Sequence, residues 1–188
     1  IWGDFISAVP YGSGHINDTY KVTMRVAGTT VHYLLQRINH AIFTRPDIVM
    51  DNILRVTAHL REKLVRRDDN DISRKALTVI PARDGRPYVR DAADNWWRLY
   101  LFIEAAQTYD VIQDERQAYE AARAFARFQN LLADMPSPRL HETIPDFHHT
   151  VRRLEALDAA AAADICGRHA EVAAEIAFVD ERRRQCAR

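Results

Sequence analysis

The sequence predicts an α+β protein in which a strand-rich first part gives way to helices near Glu104. Three observations carry this. Val22, Met24 and Val26 alternate with Lys21, Thr23 and Arg25, the period of two expected of a half-buried strand. Val49, Ile53, Val56, Leu60 and Leu64 recur at intervals of three and four, an apolar stripe along one helix. After Thr108 the pattern is helical, with Ala118, Ala121, Ala122, Phe125, Phe128, Leu131 and Leu132 on one broad face. The expected division is therefore a strand-rich lobe over 1–103 and a helical lobe over 104–188.

Taken in order, the first strand pair turns at Ala27-Gly28-Thr29, and Val31, Tyr33, Leu35 and Arg37 share one face of the returning strand. An arginine beside three apolar neighbours is expected to be buried and paired, because an unpaired buried charge is costly. Thr44-Arg45-Pro46-Asp47 reads as a helix start, with Thr44 as cap and Pro46 in the first turn. Leu77–Ile80 reads as a short strand, Asp84-Gly85 as a hairpin turn and Tyr88-Val89 as its far side. Trp96–Ile103 is the most hydrophobic strand and is placed centrally; Trp96 and Trp97 suit core packing better than a sugar platform. The long helix after Thr108 is stopped by Pro136 and Pro138. Ile144-Pro145-Asp146 is expected to open another, capped by Asp146, with Phe147, Val151, Leu154 and Leu157 as its stripe. A last helix is expected through Ile165, Val172, Ile176 and Val179.

Composition narrows the function classes. Among 188 residues, Lys+Arg and Asp+Glu both number 26, so no electrostatic nucleic-acid binder is indicated. No apolar run approaches the ~20 residues of a membrane helix. Two cysteines, Cys166 and Cys186, make no disulfide framework and suit a reducing cytoplasm. His141, His148 and His149 lack the spacing of a zinc site and read as surface or capping residues. The start at Ile1, with no Met, and the charged end give the expectation of a chain cut at both ends.

The stretch Gly12-Ser13-Gly14-His15-Ile16-Asn17-Asp18-Thr19-Tyr20 carries the chemistry. A glycine-bearing turn running into a strand can lay backbone N–H groups over phosphates, and the next strand can hold a cation beside them. That is the layout of the protein kinases, and it points to phosphoryl transfer from ATP.

Gly14-His15-Ile16-Asn17-Asp18-Thr19-Tyr20, Leu35-Gln36-Arg37-Ile38-Asn39 and Ile144-Pro145-Asp146-Phe147-His148 closely resemble the N-acetylhexosamine 1-kinase group of the aminoglycoside phosphotransferase-like family. The resemblance runs through the whole chain. It implies a protein-kinase-like two-lobed fold, with a small antiparallel β lobe and one long helix, then the first helices of a larger lobe. It also implies ATP and Mg²⁺ as cofactors and the anomeric hydroxyl of an N-acetylhexosamine as phosphate acceptor.

On this resemblance Gly12, Ser13, Gly14 and His15 lie over the ATP phosphates, and Asn17 replaces a third glycine because it tolerates left-handed backbone. Arg37 takes the place of the phosphate-binding lysine. Asp51, or else Glu62, becomes its partner on the helix. The backbone from Phe102 through Glu104 to Ala105 becomes the hinge for adenine. No His-x-Asp followed by a suitable Asn occurs, so the catalytic base and metal ligands are expected outside the chain. The expectation is an N-terminal portion of a longer kinase, inactive alone, with no catalytic or metal-binding residue of its own. Other acceptors (choline, homoserine, methylthioribose, aminoglycosides) and a non-catalytic nucleotide-binding scaffold are the alternatives.

Overall fold

A five-stranded antiparallel sheet in the order β1-β2-β3-β5-β4 forms the first part of the computed structural model, which describes residues 3–186. The strands are β1 (Asp4–Pro10), β2 (Asp18–Val26), β3 (Thr29–Ile38), β4 (Val89–Arg90) and β5 (Trp96–Leu101). β2 and β3 form a tight hairpin through Ala27 and Gly28, both at positive φ. Its register sets Val22 opposite Tyr33 and Thr19 opposite Gln36. β5 then lies against β3, with Arg98 opposite Gln36 and Trp97 opposite Arg37.

Successive side chains alternate between the sheet's two faces. One face carries the cluster of Val22, Met24 and Tyr33, extended by Tyr20, Val31, Leu35, Leu99 and Leu101, with Ile80 packed on it. Pro81, Tyr88 and Trp97 help to line a cavity of about 390 Å³ on this side. The other face carries Gln36, Ile38, Arg98 and Tyr100. Helix α1 (Pro46–Arg66) packs there, as the approach of Arg98 to the Met50 sulfur shows. Ile38 and Met50 are sealed at 1% and 0% exposure, and Tyr100 is buried beside them. Burial of an aliphatic side chain of this size stabilises by roughly 1.5–3 kcal/mol.

Further along α1, Leu60 and Leu64 meet Ala76 after the short helix α2 (Ile72–Lys75), and Leu131 and Leu132 from the end of α3 (Glu115–Leu132) close the cluster. Arg61 donates to the Ala76 and Leu77 carbonyls at 3.1 Å each, holding the chain as it leaves α2. Asp114 caps α3 by accepting from the Gln117 N–H at 2.7 Å. Helices α4 (Thr150–Ala163) and α5 (Ala173–Cys186) follow, α5 entered through a 3-10 turn at His169–Val172. Arg183 of α5 pairs with both Asp158 of α4 and Asp180.

The observed α+β architecture is that of the expected kinase-like small lobe and first helices. Several local expectations need correction. The cap of α1 is Arg45 rather than Thr44, with no side-chain bond to the helix N–H groups, and its guanidinium holds Asp47 of the first turn. Leu77–Ile80 makes a single bridge, Val79 to Tyr100, rather than a strand. Residues 144–149 are turns: Asp146 sits at positive φ, and His149 caps α4, its ring accepting from the Arg152 N–H. The last helix begins at Ala173, later than expected. By compactness alone the chain divides into units 1–143 and 144–188, with α3 packed on α1 in the first of them.

Candidate functional site

The turn between β1 and β2 is built by its glycines at the upstream limb and by Asn17 at the downstream limb. Gly12 adopts φ +85°, a conformation that side chains rarely take. At both Gly12 and Gly14 no heavy atom lies within 4 Å of where a Cβ would stand, so the backbone is open to a close-approaching group. Ser13 Oγ donates to Asp110 at 3.1 Å, and His15 is exposed. Asn17 is not at positive φ. Its amide oxygen instead accepts from the Asn39 N–H at 3.0 Å, tying the turn to the end of β3. Asn17 thus acts through its side chain, which corrects the backbone role expected of it.

Arg37 does share the face of Val31, Tyr33 and Leu35, but the burial expected for it is not found. It stands at the strand's end, with its side chain 45% exposed, and pairs with Asp18 directly opposite, Nε to Oδ2 at 2.6 Å. Asp51 is not its partner. Asp51 pairs with His141 and with Arg55, while Asn52 exchanges two 2.8 Å hydrogen bonds with the His141 backbone. This helix face fastens residues 138–141 and is unavailable to Arg37. Glu62 pairs with Arg66 on the same helix. An exposed pair such as Arg37–Asp18 contributes only about 0–1 kcal/mol.

At the far end of β5, the Phe102 N–H is committed to the His32 carbonyl at 3.1 Å. The Phe102 ring is met edge-on by Tyr11, its centroid 5.2 Å away, and covered by the Lys21 ammonium at 4.3 Å. Glu104 bonds His32 Nδ1 at 2.5 Å and gives its carbonyl to Arg74. Ala105 takes φ 52°. Part of the expected hinge backbone is therefore engaged within the protein.

The residues that sequence reasoning missed lie on the α1 side of the sheet. Thr19, Gln36 and Arg98 are successive register partners across β2, β3 and β5. Gln36 Nε2 donates to Thr19 Oγ1 at 3.0 Å, and Gln36 Oε1 accepts from Arg98 Nε at 3.0 Å and Nη2 at 2.9 Å. The guanidinium also lies over the Tyr100 ring. Burial pushes the Arg98 pKa below its ordinary value, yet arginine stays protonated in proteins at neutral pH. The available signal was an arginine inside the apolar run Trp96–Ile103, in line with a glutamine on the neighbouring strand.

An open glycine turn leading into a polar row that ends on a half-buried cation is a surface suited to an anionic ligand. A family model described as the phosphotransferase enzyme family (APH) matches residues 7–188. The chain belongs to that family. Membership makes it a phosphotransferase of a small substrate, and kinases of the phosphotransferase family generally use ATP and Mg²⁺. An open glycine turn and a polar row ending on one guanidinium have the chemistry to meet a nucleotide's phosphates. For the metal, among the described residues no group of three or more His, Cys, Asp or Glu is placed to hold an ion. No helix among the described residues is long and apolar enough to cross a membrane.

Proposed function

We propose that the chain forms the nucleotide-binding side of an ATP-dependent kinase that phosphorylates the anomeric hydroxyl of an N-acetylhexosamine. The observation that carries the nucleotide part is the β1–β2 turn, glycine-lined and open at Gly12 and Gly14, set over strands whose polar row leads inward. Backbone N–H groups of such a turn would cover phosphate oxygens; His15 is exposed on it to add an imidazole donor, and Ser13 would add its hydroxyl on leaving Asp110. In this reading Arg37 is neutralised by Asp18 at the end of β3, and Asp51 fastens His141 to α1. The segment Phe102–Ala105 receives the base beside the Phe102 ring. Residues 1–103 form the nucleotide lobe, and 104–188 begin the lobe that holds the acceptor.

The sugar assignment is supported by the wording of Gly14–Tyr20 and Leu35–Asn39, which resembles the N-acetylhexosamine 1-kinase group. Free Cys166 and Cys186, together with ATP as phosphate donor, support a cytoplasmic location. The test is transfer of label from γ-labelled ATP by the full protein to a panel of N-acetylglucosamine, N-acetylgalactosamine, choline, homoserine, methylthioribose and aminoglycosides. Labelled sugar 1-phosphate is the expected product. Label on another acceptor overturns the sugar assignment, and nucleotide binding with no labelled product favours a non-catalytic scaffold.

A further inference from the structure

We infer that Arg98, rather than Arg37, is the cation that holds the nucleotide's phosphates, with Gln36 as the residue that aims it. The inference rests on the nucleotide-binding reading above and adds to it the identity of the phosphate-binding side chain. Strand alternation decides between the two arginines. Gln36 and Arg37 are neighbours on β3, so they project to opposite faces. Arg37 goes to the face of Tyr33 and Leu35, where Asp18 already neutralises it. Gln36 goes to the α1 side, where Thr19 follows the glycine turn directly and Arg98 completes the row. The Arg98 guanidinium reaches toward β3 to bond Gln36, and the Gln36 amide links it to Thr19, at the start of the strand that continues the turn.

The charge balance points the same way. Among the described residues Arg98 makes no ion pair with a carboxylate: its partners are the neutral Gln36 amide, the Tyr100 ring and the Met50 sulfur. A half-buried guanidinium held only by neutral groups carries an uncompensated positive charge, which is costly until an anion meets it. Its five N–H groups are not exhausted by these partners, and a fork of remaining donors suits phosphate oxygens. Gln36 is the right holder for this purpose. A glutamate in its place would neutralise the cation internally and so weaken its pull on an anionic ligand.

The probes are ATP, adenosine and inorganic tripolyphosphate, titrated calorimetrically into the full protein. Arg98→Met is expected to weaken ATP and tripolyphosphate roughly 10- to 100-fold, the range for a hydrogen bond to a charged group, while adenosine is unchanged. Gln36→Glu is expected to give a comparable loss of tripolyphosphate with an undiminished melting temperature, since it supplies an internal counter-ion. That separates loss of the site from loss of the fold. Arg37→Met should change tripolyphosphate binding by no more than about threefold, as for a surface ion pair. Wild-type affinity for tripolyphosphate in both Arg98→Met and Gln36→Glu, or a loss carried by Arg37→Met instead, overturns the assignment while ATP binding itself stands. A wild-type protein that binds tripolyphosphate through Arg98 but gives no heat with ATP overturns the nucleotide reading and leaves Arg98 as a polyphosphate site. Binding of neither removes both.

Discussion

Asp91 shows how much one exposed carboxylate can organise. It accepts from the Trp97 indole N–H at 2.8 Å, from the Asn95 and Ala93 backbones at 2.9 Å and from the Asn95 amide, closing the connection between β4 and β5. These donors, the indole foremost, draw its pKa from 3.8 down to about 2. The folded state therefore favours the ionised form, and this stabilisation is fully present above the unfolded value. It fades as pH falls from about 4 toward 2. We expect Asp91→Asn to melt below the wild type at neutral pH, with the gap narrowing through that acid window in a pH series of thermal melts. A constant gap would show that the ionised carboxylate is not what matters. At this scale the sequence was readable in pattern and unreadable in pairing. The face of Arg37 followed from alternation, but its exposure depended on where packing stops along β3. Its partner depended on the β2–β3 register, which places Asp18 opposite. Arg98 was read as part of an apolar run because nothing local announces that Gln36 will lie across from it.

At the level of elements, the glycine turn separates two roles that a motif merges. Gly12 is required by its backbone, at φ +85°, whereas Gly14 lies outside that region and has free space around it. Gly12→Ala should therefore cost about 1 kcal/mol or more in urea unfolding. Gly14→Val should leave stability unchanged and weaken ATP binding, because only a ligand would meet the added methyls. Equal affinity in Gly14→Val would mean that phosphates do not approach there. Helix α1 offers a test of the core: Met50→Ala empties a fully buried position and is expected to cost about 2–5 kcal/mol by denaturant unfolding. Strands β2 and β3 and helix α1 were legible because each carries its own period over many residues, and β5 because it is a nearly continuous apolar run. The four-residue α2 was not, since a single turn leaves no periodicity to detect. The start of α4 was misplaced because Asp146 takes a left-handed conformation rather than a capping one.

Over the whole molecule, burial is distributed unevenly. The described core lies in the unit 1–143, in the sheet, α1 and Ala76, while α4 and α5 have no buried residue among those described. Local stability follows apolar contact and shielding of hydrogen bonds. Amide exchange read by mass spectrometry should accordingly be slowest in β2, β3, β5 and the middle of α1, and fast across 150–186. Slow exchange in α5 comparable to β3 would contradict this. The composition change at Glu104 was visible in the sequence, but the compact boundary at 143 was not. It depends on Leu131 and Leu132 reaching the Leu60–Leu64 cluster, a long-range contact that no local pattern encodes.

Asn39 is a junction at which three of its polar groups are engaged. Its N–H goes to Asn17, its side-chain oxygen takes the Ala41 N–H, and its carbonyl takes those of Ile42 and Phe43, just ahead of α1. The turn is thus tied, through a single residue, to the segment that leads from β3 into α1. A small tilt at the start of α1 would tug the crest of the turn, so occupancy beneath that crest and the pose of the helix should be mechanically linked.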